Sequence, residues 1–247
     1  MPGRGRVIAV TSLSLEASIA LGPGVLVICS HASQLVAALE SAVRHGASGI
    51  ISFGISGGLT SDLNAGDWVI GSGVQSGREL YPADQRWSQK LLDALPGAVH
   101  AQIVGANAPV AHALEKRRLH AQTGAAAVDM ESHIAAKIAA ANGIPFAACR
   151  AIIDAAHREL PHAAVVGLRP DGKPDLRAIS RSLARQPNQL PAMLRLAMDA
   201  WFARDALRDG RRRLGAGLAC PYFIETGATS EVTASVYVEP QFRSVSS

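Results

Sequence analysis

The sequence predicts a single α/β domain, a largely parallel sheet covered by helices on both faces. Two observations carry this: short apolar runs rich in β-branched residues alternate with longer helical segments, and no Pro/Gly/Ser-rich linker interrupts the alternation before about residue 215. The composition agrees. With 247 residues, 48% of them apolar and 18% charged, the chain can bury a full core, which excludes a disordered or collagen-like protein. No apolar run approaches the roughly 20 residues that a membrane-spanning helix needs.

Val7 to Val10 and Val25 to Cys29 read as buried strands, with Thr11 to Glu16 as the exit loop of the first. A helix follows from about Ser33 to His45 and stops at Gly46. The third strand, Gly49 to Phe53, runs into a glycine-rich loop, Gly54-Ile55-Ser56-Gly57-Gly58-Leu59. Further strands are expected at Asp67 to Gly73, Ala101 to Val104, Ala125 to Val128 and Phe146 to Ile152. Helices are expected at Ser88 to Leu95, Glu115 to Gln122, Ser132 to Asn142, Leu176 to Leu183 and Leu190 to Leu214, with a turn-rich loop at Pro170 to Pro174. In the last helix Leu190, Leu194, Met198 and Trp201 recur at helical spacing, the pattern of a core-facing stripe. Residues 216–247 are rich in Thr, Ser and Val, and read as an appendage to a catalytic domain of residues 1–215, either unstructured or an added hairpin.

The net charge is +4 and the isoelectric point about 9.2. The aromatic residues are few and do not interleave with the basic ones, so a nucleic-acid partner is not expected. The late arginines, Arg204, Arg208, Arg211, Arg212 and Arg213, read first as a solvated helix face, with attraction to a membrane surface as the other reading. Three cysteines in apolar surroundings read as free thiols of a reducing compartment, and the amino terminus lacks the apolar core of a signal peptide, so a cytoplasmic location is expected. The histidines have no metal-ligand spacing, and no metal or organic cofactor is expected.

Four elements carry chemistry. Val128-Asp129-Met130-Glu131-Ser132 places a carboxylate in apolar surroundings where a strand gives way to a helix; buried there, it must be paired or used. Cys149-Arg150-Ala151-Ile152-Ile153-Asp154 puts an acid at the end of the most apolar strand, where ligands of open α/β sheets bind. An Arg150–Asp154 ion pair is the structural alternative. The glycine-rich loop lets backbone amides approach a ligand, and Glu16 is the acid of the first strand exit.

In their order along the chain, Glu16, the glycine-rich loop, Met130-Glu131 and then Arg150 with Asp154, the four elements resemble the nucleoside phosphorylase and nucleosidase superfamily. The resemblance implies a three-layer α/β sandwich around a central mixed, mostly parallel sheet, and a homo-oligomer. It implies that Met130 packs on the ribose, Glu131 accepts from its hydroxyls and Asp154 protonates the purine at N7. Glu16 and Arg150 match positions that orient the attacking nucleophile, and Gly54, Ser56, Gly57, Val110 and Val128 would line the substrate. The chemistry fits. Cleavage of a ribosyl C–N bond passes through an oxocarbenium-like state, so a carboxylate stabilises the growing positive charge while an acid neutralises the departing base.

Closer similarity is to the bacterial hopanoid-associated phosphorylases, over about residues 6–215. The shared stretches include Ile51 to Leu59, Tyr81-Pro82-Ala83-Asp84, Ala127 to His133 and Gly167 to Gly172. That branch is associated with release of adenine from adenosylhopane in hopanoid biosynthesis, which implies a nucleoside with an apolar 5′ substituent and suggests a peripheral membrane contact. Where hexameric purine phosphorylases carry an arginine and a serine for phosphate, this chain has Ser52 and Ile55. A phosphate co-substrate would have to use backbone amides of Gly54 to Gly58 with Arg150, or the loop at Ser30 to Ser33. Ile153 replaces a serine that orients the acid, and Pro109 an aromatic that stacks on adenine. A general purine or adenosine-thioether enzyme of salvage is the alternative function, and a binding protein without turnover the alternative class.

Overall fold

The computed structural model describes residues 5–30, 32–167, 174–225 and 236–237. The Pro170 loop, His31 and most of the tail lie outside them. The strands are β1 (Arg6–Thr11), β2 (Val25–Cys29), β3 (Ala47–Gly58), β4 (Trp68–Ser76), β5 (Glu79–Pro82), β6 (Val99–Gly105), β7 (Ala127–Asp129), β8 (Phe146–Asp154) and the two-residue β9 (Val236–Tyr237). The helices are α1 (Ser14–Ala20), α2 (Ala32–Arg44), α3 (Gln85–Ala94), α4 (Ala113–Thr123), α5 (Ser132–Ala141), α6 (His162–Val166), α7 (Leu176–Arg185) and α8 (Leu190–Leu214).

Side chains along β1 alternate between two cores, as the period of a strand requires. Val7 and Ala9 face Ala17 and Ile19 of α1, Trp87 and Leu91 of α3, and Leu207 and Leu214 of α8. Ile8 and Val10 face Leu35 and Leu39 of α2 and Ala135 and Ala139 of α5. These are the three layers. The sheet is mixed and mostly parallel, and it does more than lie flat. β3 pairs with β8 and β8 with β4, β4 with β6, β6 with β7, and β7 returns to β3. This ring closes one end of the sheet on itself and brings the carboxyl ends of β3, β7 and β8 together.

The structure departs from the expected elements in four places. Gly54 to Gly58 is not a loop but the end of β3, held by parallel pairing to β8 and by antiparallel pairing of Gly57 with Val128 and Gly58 with Ala127. Its amides therefore do not form a phosphate cradle. Glu16 sits inside α1, too short a helix for its periodicity to be read. The hairpin strand β5 is an addition, paired antiparallel to β4.

The fourth correction concerns α8, which carries two apolar stripes. Its carboxyl-terminal half is buried through Ala203, Leu207, Gly210 and Leu214, and Gly210 lies so close to Trp68 that a Cβ would stand 2.4 Å from the ring. The stripe of Leu190, Leu194, Met198 and Trp201 faces outward instead, at 50–62% exposure. Packing also continues past Gly215. Leu218 and Cys220 are buried, Trp87 Nε1 donates to Leu218 O at 2.9 Å, and the Tyr222 hydroxyl donates to Asp84 at 2.9 Å.

Candidate active site

A cavity of about 160 Å³ opens where β3, β7 and β8 converge. Its walls include Ser56, Gly57, Val110, Val128, Met130, Glu131 and Asp154, all expected from the sequence, together with Leu13, Pro109 and Leu160. Gly54, Glu16 and Arg150 do not line it. They form the layer beneath.

That layer is a buried charge cluster. Arg150 is fully buried, pairs through Nε with Asp129 Oδ2 at 2.7 Å and stands 3.7 Å from Glu131 Oε2. Its Nη2 also donates to Ser52 Oγ and, at 3.3 Å, to Ser132 Oγ. Glu16 accepts from the amides of Ser12 (2.8 Å), Leu13 (2.8 Å) and Ile55 (2.7 Å) and from the Ser12 hydroxyl (3.1 Å). Gly54 makes the arrangement possible, because a Cβ there would lie 2.5 Å from Glu16 Oε1 and 2.8 Å from Arg150 Nη1. Glu16 and Arg150, the residues expected beside a nucleophile, thus both have protein partners.

Asp129, to which the sequence assigns no role, has two. Oδ1 accepts from the amides of Glu131 (3.2 Å) and Ser132 (2.9 Å) at the start of α5, fixing the turn that presents Met130 and Glu131, while Oδ2 binds Arg150 and the Ser132 hydroxyl. Three buried carboxylates, Glu16, Asp129 and Glu131, therefore surround one guanidinium. Burial pushes the Glu131 carboxyl up to about 8; Arg150 pulls it back in part, and Asp129 and Glu16 push it up further.

Asp154 belongs to a different partner. The register of β8 against β3 skips Ile153, pairing Ser56 with Ile152 and then Gly57 with Asp154. This bulge turns Asp154 to the face opposite Arg150, so the alternative of an Arg150–Asp154 pair is not realised. Asp154 Oδ2 binds Lys116 Nζ of α4. Burial raises the Asp154 carboxyl, and Lys116 pulls part of that rise back. Nothing in the sequence singles out Lys116, one of four consecutive charged residues, Glu115-Lys116-Arg117-Arg118.

Ser56 Oγ is buried at the cavity wall and has no hydrogen-bond partner among the described residues. An orphaned buried hydroxyl costs about 1–3 kcal/mol, which a ligand hydroxyl would recover.

The arrangement is that of an N-ribosyl-transferring enzyme: excess negative charge beneath one side of a cavity, and a separate acid on a neighbouring strand. The chain belongs to the phosphorylase superfamily, whose profile matches residues 3–185, and it is an enzyme of the nucleoside phosphorylase and nucleosidase type. Among solved structures it is similar to a 5′-methylthioadenosine/S-adenosylhomocysteine nucleosidase of S. pneumoniae with the transition-state inhibitor MT-ImmA, with TM-score 0.63 and 13% identity over 87% of this chain and 99% of that one. It is also similar to futalosine hydrolase of Helicobacter pylori strain 26695, with TM-score 0.61 and 11% identity over 87% and 97%. A third similar structure is the S-adenosylhomocysteine nucleosidase of Streptococcus pyogenes, with TM-score 0.56 and 16% identity over 80% and 98%. At these identities the likeness is one of fold. No curated protein matches the sequence.

Proposed function

We propose that the enzyme hydrolyses the N-glycosidic bond of an adenosine whose 5′ carbon bears a large apolar group, adenosylhopane, releasing adenine and ribosylhopane. The observation that carries the reading is the surplus of buried carboxylate around Arg150 beside the separate acid Asp154. A site with net negative potential favours a ribosyl group that becomes cationic as the bond breaks. Glu131 accepts from the ribose hydroxyls, Met130 packs on the ring and Ser56 donates to it. Asp154 gives its proton to N7. Asp129 and Arg150 hold Glu131 in place, and Glu16 ties the start of α1 to the end of β3.

The same cluster favours water over phosphate. A phosphate anion would meet Glu16 and Asp129 and, once it is ionised, Glu131, and the Arg150 guanidinium is already taken by Asp129, Ser52 and Ser132. The apolar 5′ group is supported by the resemblance to the hopanoid branch and by the apolar wall of Leu13, Pro109, Val110 and Leu160. The test incubates adenosylhopane, adenosine and 5′-methylthioadenosine with the enzyme, with and without phosphate, and weighs the products. Adenine release from adenosylhopane at equal rates in both buffers is the expected result. Release only with phosphate would replace hydrolysis by phosphorolysis, and a preference for 5′-methylthioadenosine would favour the salvage alternative.

A lipid-linked substrate also gives a use to the exposed face of α8, which we propose contacts an anionic membrane surface. Leu190, Leu194, Met198, Trp201 and Phe202 are exposed there. Residues 174–215 carry nine arginines against four aspartates, an excess larger than the net charge of the whole chain. Arg208 and Arg212 are exposed on the same helix, and anionic lipid complements them. Flotation with anionic vesicles at low salt is expected, with loss of binding in Met198→Asp/Trp201→Asp and with zwitterionic lipid. A parent protein that ignores anionic vesicles, or that halves in mass in solution on this double substitution, would overturn the membrane reading.

A further inference from the structure

The Lys116 ammonium is fully buried, and each of its three protons has an acceptor: Asp154 Oδ2, Ala155 O at 3.1 Å and Arg158 O at 3.2 Å. This anchors α4 to the segment leaving β8. It also divides the acid in two, because Oδ2 is held while Oδ1 has no partner among the described residues and Asp154 lines the cavity. A buried lysine placed on the one group the reaction needs protonated is not explained by the family resemblance, which assigned no residue of α4.

We propose that Lys116 is a positioning residue for the leaving-group acid: it fixes Asp154 with one oxygen towards the departing base, and it is the counter-ion of the carboxylate left when the proton has gone. The inference rests on the reading of Asp154 as that acid. The electron pair of the ribosyl C1′–N9 bond passes to the base, the proton of Asp154 passes to N7, and the carboxylate so formed faces the ammonium of Lys116. The water that attacks C1′ releases one proton to solvent, from which Asp154 is reprotonated.

An adjacent ammonium makes the carboxyl a stronger acid, so Lys116 accelerates proton delivery and also lowers the pH at which Asp154 empties. The other charged groups around Asp154 are Asp199 and Arg195 of α8, and His157, Arg158 and Glu159 of the segment after β8, which together line a second cavity of about 310 Å³ on its far side. Asp199 opposes the effect of Lys116 on Asp154. Across the catalytic cavity stand Asp129 and Glu131.

The experiment compares kcat/KM against pH for the parent, Lys116→Met and Lys116→Arg. In Lys116→Met the alkaline limb is expected to move to higher pH while the optimum rate falls about tenfold, the Brønsted consequence of a weaker acid. Lys116→Arg keeps the charge and is expected to keep the limb near its parental pH. A loss of rate that is uniform across pH, with the limb unmoved, would reduce Lys116 to a structural anchor and overturn the proposal.

Two further measurements keep the outcome readable. Infrared titration of the Asp154 carboxyl, in parent, Lys116→Met and Lys116→Arg, needs no turnover. If the parent releases no adenine from adenosylhopane, the functional reading fails, and an Asp154 carboxyl that titrates identically in the parent and in folded Lys116→Met would still refute the pairing. A riboside with a nitrophenolate leaving group requires no proton. Lys116→Met is expected to cleave it at the parental rate, and an equal loss on this substrate would again point to anchoring alone.

Discussion

Asp154→Asn is expected to lower kcat/KM for adenine release by at least ~10²-fold, the usual range for removing a positioned general acid. An asparagine can still donate to N7, but it cannot transfer a proton, so the base must leave with its charge uncompensated. The parent should lose activity as pH rises, because only the protonated carboxyl acts. Burial raises that carboxyl, which places the loss above the ordinary carboxylate range; the variant's residual rate should lack this limb. The substitution also has a cost in stability. Where the parent carboxyl is ionised, the substitution leaves the buried Lys116 ammonium without its counter-ion, and breaking a buried pair from one side costs about 3–5 kcal/mol. Asp154→Asn/Lys116→Met removes both charges and should regain most of the lost melting temperature while recovering none of the turnover. Steady-state rates and thermal melts of the three proteins separate the two effects. A single variant that keeps more than a tenth of parental kcat/KM would place the acid elsewhere.

What could be read from the sequence, and what could not, follows the range of the interactions involved. Buried strands such as Val25–Cys29 and the long helix Leu190–Leu214 declare themselves through local periodicity, and the structure has them at those bounds. The closed ring of strands is not local. It depends on Gly57 meeting Val128 and Trp68 meeting Ala151, pairings between distant segments with no signature in either.

The site divides in the same way. Glu131 and Asp154 stand out as carboxylates where apolar strands end, which is a local fact. The direction of Asp154 is not, since one skipped residue at Ile153 decides whether it meets Arg150 or Lys116. Lys116 is hidden among neighbours of like charge, and only packing distinguishes the one that points inward. α8 misleads for a related reason: periodicity finds both apolar stripes, but Gly210 against Trp68 decides which half of the helix is pressed to the core.

Glu131→Gln should separate function from stability in the opposite direction. Turnover is expected to fall ~10²-fold or more at pH values where the parent carboxyl is ionised, because a neutral amide cannot give the ribosyl cation the electrostatic stabilisation of a carboxylate. The folded protein, however, should gain. The Glu131 carboxyl has an ordinary value of 4.5 and is raised to about 8 by burial, against the partial help of Arg150. Between these values the folded state holds a proton that the unfolded state releases, so the contribution of this group to stability is full below about pH 4.5 and is lost as pH rises towards 8. Gln has no such dependence. Thermal melts from pH 5 to 9 should show the variant overtaking the parent as pH rises, by on the order of 1 kcal/mol or more at the alkaline end. Arg150 keeps Asp129 as its 2.7 Å partner in the variant, and the cluster sheds one of its three carboxylates. A variant that melts below the parent at pH 8 would mean that Glu131 is needed to hold Arg150. The expected result would mean that the surplus carboxylate is maintained at a cost to the resting fold, and that its stabilising partner is the positive charge that appears on the ribose only as the glycosidic bond breaks.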